Sequence, residues 1–231
     1  MTTPHALSVA MLLADARLPS GGHAHSASLE PALLGGMPTA SVPAWLVGRA
    51  TTVSLVEAGT AVVTARLLAG VSDAGFGLAD VVRAWAARTP APALRDAARL
   101  LGRGYLRLAR TLWADAPAVR ALVTHDAAHG PLPRAVVLGA VAAATGLPAA
   151  DTVRLTVYDD AQTAASALLK LEPLDPVTPA RWVLEACAAA ERHVLRVAAC
   201  TTPEDIPASG SPQTEGWAQA HALLSQRLFR A

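Results

Sequence analysis

The stretch of sequence that decides the fold reads LLADARLPSGGHAHSASLE and runs from Leu12 to Glu30. An apolar, helix-like run ends at Asp15, and the pair Gly21 and Gly22 then breaks the chain, because adjacent glycines reach backbone angles that side chains forbid. Glu30 is placed to interact with the positive end of a second helix. The polar residues ahead of it can accept hydrogen bonds from the free amides at the start of that helix: His23, His25, Ser26 and Ser28. The stretch predicts a helix-loop-helix corner.

Beyond this corner the chain is a succession of helical patterns separated by breaks rich in proline and glycine. The run Arg134 to Thr145 is apolar on nearly every face, which predicts burial in the middle of a bundle. Residues 152–158 alternate with period two, but no second strand candidate offers a partner, so a helix is predicted there. Three further helices follow from apolar spacing, namely Trp45 to Leu68, Leu94 to Leu112 and Arg181 to Ala199. We expect an all-α, single-domain multi-helix bundle over residues 1–200.

The last part of the chain, residues 201–231, has a different composition. Thr201 to Gly216 is rich in proline, serine, threonine and glycine, which is typical of a flexible linker. Trp217 to Phe229 has the spacing of a short helix and ends in Arg-Leu-Phe-Arg. A short helix on a mobile tether is suited to docking on another protein. We therefore predict a flexible linker and a C-terminal tail that docks on a partner.

The composition of the chain favours burial against other proteins. Hydrophobic residues make up 52% of the sequence and charged residues 16%, which is more apolar surface than a monomer of this size needs to bury. We expect other subunits to cover the corner and the tail. A net charge of +1 and 4% aromatic residues argue against a nucleic-acid binder. The apolar runs are shorter than the roughly 20 residues that span a bilayer. No Lys or Arg precedes the first of these runs, so a secretory signal is not predicted and a cytoplasmic protein is expected.

Arginines recur every fourth residue along one predicted helix, at Arg95, Arg99, Arg103 and Arg107, and Arg110 follows them in the same stripe. Like charges at this spacing destabilise an isolated helix by a few tenths of a kcal/mol per pair, so something must compensate. One interpretation is a solvated face balanced by carboxylates from neighbouring helices. The other is a docking stripe for an acidic partner, because guanidinium groups suit carboxylates. Gly102 on the same helix, with Gly104, suggests close approach of another helix.

The residues that carry chemistry do not form an enzyme site. The sequence contains no phosphate-binding loop, no dinucleotide fingerprint and no HExxH, so we predict a protein that is not an enzyme. His23 and His25 are the candidates for metal ligands, and His125 and His129 could join them if the fold brought the four together. Histidines that cap helices or donate hydrogen bonds are the more common outcome, so no metal site is predicted.

Four segments in chain order resemble the urease accessory protein UreF family. LLADxxLPxGGxxHSxxLE is similar to the N-terminal signature of that family, and His221 followed by Gln226 to Arg230 is similar to its closing segment. Leu94 to Leu106 and Pro131 to Pro148 resemble two internal segments. Gly-Gln pairs that are usual in the family after Lys170 are missing, which suits a divergent, actinobacterial-type branch.

The resemblance implies an all-helical homodimer that acts in urease maturation without catalysing a reaction. Such proteins bridge UreD, also called UreH, and the GTPase UreG on the urease apoprotein, and the partners handle nickel and GTP, so no directly bound cofactor is expected. The residues Gly21, Gly22, His25, Ser26 and Glu30 correspond to the dimer and GTPase-facing region. The tail that docks on UreD corresponds to His221, Arg227, Leu228, Phe229 and Arg230. The alternative is a nickel-binding metallochaperone that uses His23 and His25.

Overall fold

The computed structural model describes residues 5–15, 17–71, 75–224 and 228–229. The α-helices in these residues are α1 Ala6–Leu13, α2 Leu29–Leu34, α3 Val42–Ala50, α4 Val53–Leu68, α5 Leu78–Ala87, α6 Pro92–Leu112, α7 Pro117–His129, α8 Arg134–Thr145, α9 Ala149–Leu171, α10 Val177–Ala198 and α11 Pro212–His221. Three-residue 3-10 turns lie at Gly22–Ala24, Thr39–Ser41 and Pro203–Asp205. One hydrophobic core runs from Val9 to Ile206. The prediction of an all-α, single-domain bundle is confirmed.

Helix α8 lies at the centre of the bundle and packs against α4. Its residues Val136, Val137 and Ala140 have no exposed surface. The two backbones approach closely at Gly139, where a Cβ atom would overlap the carbonyl oxygen of Ala61. The sequence prediction that this apolar helix is buried on nearly every face is therefore confirmed.

Helices α9 and α10 form the longest packed pair, joined by the short loop 172–176. Residues 152–158 belong to α9, so the prediction of a helix there is confirmed. The threonine hydroxyls of this alternating segment are satisfied within the helix, because Thr152 donates to the carbonyl of Pro148 at 3.1 Å and Thr156 to that of Thr152 at 2.8 Å.

The single helix predicted from Trp45 to Leu68 is wrong, because the chain bends between α3 and α4. The hydroxyl of Thr51 donates to the carbonyl of Val47 at 2.9 Å, and that of Thr52 donates to the carbonyl of Gly48 at 2.7 Å. Thr52 has φ −130° and ψ −89°, outside the helical region. Hydroxyls that compete for backbone groups in this way favour helix ends.

The segment Thr39–Leu68 is long and apolar enough to cross a membrane, but 67% of its most apolar window is buried inside the protein. Core helices of water-soluble folds pass the same test of length and composition, and this segment is also interrupted by the bend at Thr52. It carries little weight as a membrane span.

Two glycines on α6 mark close backbone contacts, as predicted, although the neighbours are loops and not helices. A Cβ at Gly102 would overlap the carbonyl oxygen of Leu132 in the loop before α8. A Cβ at Gly104 would overlap the carbonyl oxygen of Ser20 in the corner. Helix α6 is thereby fixed against both loops.

Residues 201–224 form a strap over the bundle. The Arg88 guanidinium donates to the carbonyl of Ile206 at 2.8 Å, and the Ile206 side chain is buried. Farther along, the Trp45 indole N–H donates to the hydroxyl of Thr214 at 3.2 Å. Helix α11 begins and ends earlier than predicted. The strap thus has a defined path where the composition indicated a linker, while its flexibility stays a prediction.

Candidate functional site

The corner between α1 and α2 holds backbone conformations that are rare for residues with side chains. Gly21 has φ 87°, and the next two residues in the left-handed region are Ala27 at φ 48° and Ser28 at φ 69°. Such conformations cost about 1–3 kcal/mol each unless neighbours hold them. A 3-10 turn at Gly22–Ala24 follows the glycines, and α2 begins after Ser28. Of the predicted acceptors, Ser26 caps the start of that helix. The Ser26 hydroxyl accepts the N–H of Glu30 at 3.3 Å.

The Glu30 carboxylate joins the two ends of the chain. It accepts the backbone N–H groups of Leu228 and Phe229, each at 2.8 Å. His221 Nε2 lies 3.2 Å from Glu30 Oε2, an ion-pair distance whose angle falls outside hydrogen-bond geometry. Hydrogen bonds to an ionised acceptor are roughly twice as strong as neutral ones. Glu30 therefore holds the tail, and not only the start of α2 as predicted.

The described end of the tail covers the corner. Phe229 is 4% exposed, and its ring lies 5.2 Å from the ammonium of Lys170, which also donates to the carbonyl of His23 at 3.3 Å. His25 is buried as well, whereas Leu228 is 63% exposed. The expectation that only other subunits cover these two ends is wrong, because they cover each other. Two further predicted tail residues, Arg227 and Arg230, lie outside the described residues.

A cavity of about 330 Å³ lies beside the corner, and Phe229 is part of its wall. Leu94 and Leu101 of α6 supply apolar lining. Charged side chains from α3, α4, α8 and α9 also reach it, namely Arg49, Glu57, Arg134, Asp159 and Asp160. A concave, largely apolar site with a few convergent polar groups is the usual form of a binding site.

The first buried ion pair in this lining joins Arg49 to Asp160. Arg49 Nε and Nη2 lie 3.1 and 2.7 Å from the two carboxylate oxygens, and the Ser54 hydroxyl donates to the same carboxylate at 2.7 Å. Burial raises the pKa of Asp160, but Arg49 and these hydrogen bonds outweigh burial, so its pKa lies below the ordinary value. The pair is ionised at neutral pH.

The second pair joins Arg134 to Asp159, which also accepts the Tyr105 hydroxyl at 3.4 Å. Nearby, the Trp85 indole N–H donates to Glu57 Oε1 at 2.6 Å. Burial raises the pKa of both the Asp159 and the Glu57 carboxyl. Protein atoms surround Glu57, but its side chain is only half-buried because part of it faces the cavity.

The sequence prediction missed this buried network. A signal was present, since Asp160 occupies the same face of α9 as the buried Ala164 and Leu168, where a charge needs a partner. The identity of that partner was not readable, because Arg49 stands 111 residues away.

Two of the arginines on α6 hold loops. Arg95 Nη1 donates to the carbonyls of Thr89 and Pro90 at 2.8 and 2.7 Å, and Arg107 Nη2 donates to the carbonyl of Pro19 at 3.0 Å. Arg95 and Arg107 thus bond to backbone oxygens of neighbouring loops and not to carboxylates of other helices, while Arg107 remains exposed to solvent. A docking role for this part of the stripe stays a prediction.

The other two arginines do not hold loops, and the Arg99 guanidinium lies over the Trp85 ring, 5.9 Å from its centre. Arg99 lies 3.5 Å from the exposed carboxylate of Asp96 on the same helix. Arg103 is exposed and has no hydrogen bond or ion pair within the described part of the chain. A docking role for Arg99 and Arg103 therefore stays a prediction.

The model of the family described as UreF matches residues 38–187, which is 150 of the 231 residues. The chain belongs to the UreF family. A protein named Urease accessory protein UreF from Mycobacterium sp. (strain JLS) is 36% identical over 99% of both chains. A protein of the same name from Mycobacterium tuberculosis (strain ATCC 25177 / H37Ra) is 39% identical over 74% of this chain and 75% of that protein. Another, from Mycobacterium marinum (strain ATCC BAA-535 / M), is 34% identical over 99% of both chains. The resemblance to an actinobacterial-type UreF branch is confirmed.

The UreF match covers α3 to α9, the first half of α10 and the buried ion network, since it runs from residue 38 to residue 187. The corner and the tail lie outside it. Both are included in the alignment with the Mycobacterium sp. (strain JLS) relative, which covers 99% of this chain.

The histidines of this UreF-family chain do not converge in the structure. Within the described ranges, no group of three or more His, Cys, Asp or Glu side chains is arranged to hold a metal ion. His23 is exposed and His25 is buried, so the two do not face the same environment. His125 and His129 have ring centroids 4.5 Å apart on α7. Burial is the main cause that lowers the pKa of His125, and the neighbouring His129 lowers it further.

Proposed function

We propose that this chain is a non-catalytic urease maturation factor that bridges UreD (UreH) and the GTPase UreG while nickel is inserted into the urease apoprotein. The observation that carries the proposal is the similarity to a protein named Urease accessory protein UreF over 99% of both chains. A bridging protein needs its ends as well as its core, and that alignment includes both. The chain acts in the cytoplasm, and its partners bind nickel and GTP.

The structure changes the physical argument for partner binding. The corner and the tail satisfy each other, so uncovered ends no longer support the proposal. Support comes instead from apolar side chains that the described tail leaves in solvent, namely Leu223, Leu224 and Leu228 at 83%, 47% and 63% exposure. Exposed apolar groups near one another are typical of protein interaction sites. UreD binds this part of the tail.

A second copy of the chain is the other proposed partner. Leu7 and Met11 stand one helical turn apart on α1 and are 57% and 63% exposed, and Leu34 of α2 is 62% exposed. Apolar side chains at this spacing on a surface helix suit a helix-helix interface. The chain is a homodimer.

Co-purification tests the bridging function. Tagged chain, co-expressed with UreD and UreG, should retain both partners and should hydrolyse no GTP on its own. Deletion of residues 228–231 should weaken UreD binding by about tenfold or more, because it removes an exposed leucine and the anchored Phe229. UreD binding that is unchanged by the deletion, or absent from the intact chain, would contradict the proposal.

Calorimetric titration with Ni(II) separates this function from the alternative of a nickel metallochaperone. That alternative requires His23 and His25 to bind one ion together. Tight Ni(II) binding that is lost in the His23→Ala, His25→Ala double variant would establish it. Binding that is weak, or equal in the variant, would leave the bridging function as the better account.

A further inference from the structure

A groove of about 780 Å³ lies between the N-terminal half of α6 and the tail. It is distinct from the cavity, and Phe229 lines both. One wall carries Arg99 and Arg103, which stand one helical turn apart. Apolar lining comes from Leu100 of α6 and from Leu228 of the tail.

The two guanidinium groups are available to a ligand. Arg103 has no partner among the described residues. The Arg99 guanidinium lies over the Trp85 ring, 5.9 Å from its centre, and 3.5 Å from the carboxylate of Asp96, a groove residue whose side chain is 78% exposed. An exposed pair of this kind contributes about 0–1 kcal/mol, so a second carboxylate can displace it. Their neighbours Arg95 and Arg107 are occupied by backbone carbonyls and do not compete.

The apolar wall is held in place by the tail contacts. Glu30 accepts the N–H of Leu228 and of Phe229, and burial of the Phe229 ring leaves the Leu228 side chain exposed at the groove. The groove thus combines a fixed leucine with two guanidiniums one turn apart, of which Arg103 is unpaired among the described residues and Arg99 has a weak, exposed ion pair.

We infer that this groove binds an acidic amphipathic helix of UreD, with two carboxylates one turn apart on Arg99 and Arg103 and an apolar side chain between Leu100 and Leu228. The inference rests on the proposed function. Arginine forks pair with carboxylates in a bidentate manner, and an apolar stripe packs into the remaining groove.

A second copy of this chain does not supply the matching surface. None of the helices in the described residues carries two Asp or Glu residues three or four positions apart. Nucleic acid is a poorer match, because the groove offers two cations and leucine instead of an extended basic track with stacking rings. A different, acidic protein is the occupant that the charges favour.

Charge reversal tests the inference with two probes, purified UreD and a synthetic helical peptide with glutamates one turn apart around a leucine. The variant is the double substitution Arg99→Glu, Arg103→Glu. The matched control is Arg110→Glu, an exposed arginine of the same helix outside the groove. Circular dichroism and the thermal midpoint establish that each variant is folded.

The double variant should bind both probes about tenfold or more weakly, and the control should stay within about twofold of the wild type. A peptide with lysines in place of the glutamates should prefer the double variant. Equal binding of the glutamate and lysine peptides to the wild type, or competition by a single-stranded oligonucleotide as strong as by the peptide, would overturn the inference. UreD affinity that is unchanged in the double variant would also overturn it, while leaving the bridging function intact. Failure of UreD to bind the wild type would reject the bridging function. Binding of the peptide would then still show whether the groove accepts an acidic helix.

Discussion

At the scale of single residues, Glu30 shows how tertiary contacts give a local motif a different role. Its position in the first turn of α2 indicates an interaction with the helix end. In the folded chain its two oxygens accept N–H groups that lie 198 and 199 residues away. Because the carboxylate and its hydrogen bond to the Phe229 amide are buried, water does not readily replace Glu30 there, so this side chain anchors the end of the tail.

Substitution of Glu30 by Gln should loosen the tail. Glutamine offers one acceptor oxygen and no charge, so one of the two tail amides loses its partner, at a cost of about 1–3 kcal/mol. Amide hydrogen exchange at Leu228 and Phe229 should accelerate accordingly. The exposed Glu204→Gln serves as a control and should leave that exchange unchanged. Equal exchange in wild type and Glu30→Gln would mean that the carboxylate does not hold the tail.

The buried Glu57 carboxyl should impose a pH dependence on stability. Burial raises its pKa above the ordinary value of 4.5, so the native state binds the proton more tightly than the unfolded chain does. Its contribution is complete below pH 4.5 and is lost as pH rises through the raised pKa. Glu57→Gln removes this titration but keeps an acceptor for Trp85. The decline of the thermal midpoint with rising pH should be shallower in the variant, and an identical slope would contradict this account.

At the scale of elements, α6 shows how glycines let a helix pack closely against neighbouring loops. Its glycines lower helix propensity by about 1 kcal/mol each relative to Ala. They are nevertheless needed, because backbone carbonyls of Leu132 and Ser20 occupy the space of a Cβ atom. The helix therefore gains its position from tertiary contacts that compensate its weaker local preference.

Gly104→Ala should destabilise the protein despite the better helix propensity of alanine. The new methyl group overlaps the Ser20 carbonyl, and overpacking of this kind costs about 1–3 kcal/mol. Gly48→Ala is the matched control, since that exposed helical glycine has no atom within 4 Å of a Cβ. It should stabilise the protein by about 0.5–1 kcal/mol. Urea denaturation measures both, and a stabilising Gly104→Ala would refute the close contact.

At the scale of the whole molecule, the tail supplies part of the wall of the cavity beside the corner. The strap crosses α5 and α3 before the described tail reaches the corner, where Phe229 meets the cavity wall. The ion pairs beyond that wall depend on limited access of water for their strength. The two ends of the chain and the buried network thus form one structural unit.

Phe229→Ala should open the cavity without unfolding the bundle. Loss of the ring removes the apolar anchor of the tail, so an environment-sensitive dye such as anilinonaphthalene sulfonate should bind more strongly. The far-UV circular dichroism should not change, because Phe229 lies outside the helices. Leu228→Ala is the control, since that side chain is 63% exposed, and it should leave dye binding unchanged. Equal dye binding in both variants would show that the ring does not close the cavity.

Local patterns in the sequence were sufficient for the helices and for the family. The apolar pattern located α8 to the residue and placed it in the middle of the bundle, because helix formation and burial depend on neighbours a few positions apart. The bend at Thr52 was not readable in this way, because a hydroxyl that competes for a backbone carbonyl looks the same in sequence as one that points to solvent.

The sequence by itself determined an all-α UreF-type bundle, the corner at Gly21 and Gly22 and the arginine spacing on α6. The tertiary structure alone decided that Glu30 holds the tail, that Arg49 pairs with Asp160, and which arginines stay available. The first two outcomes join residues more than 100 positions apart. Periodicity reports which face of a helix is buried, but only the folded chain selects the atoms that meet there.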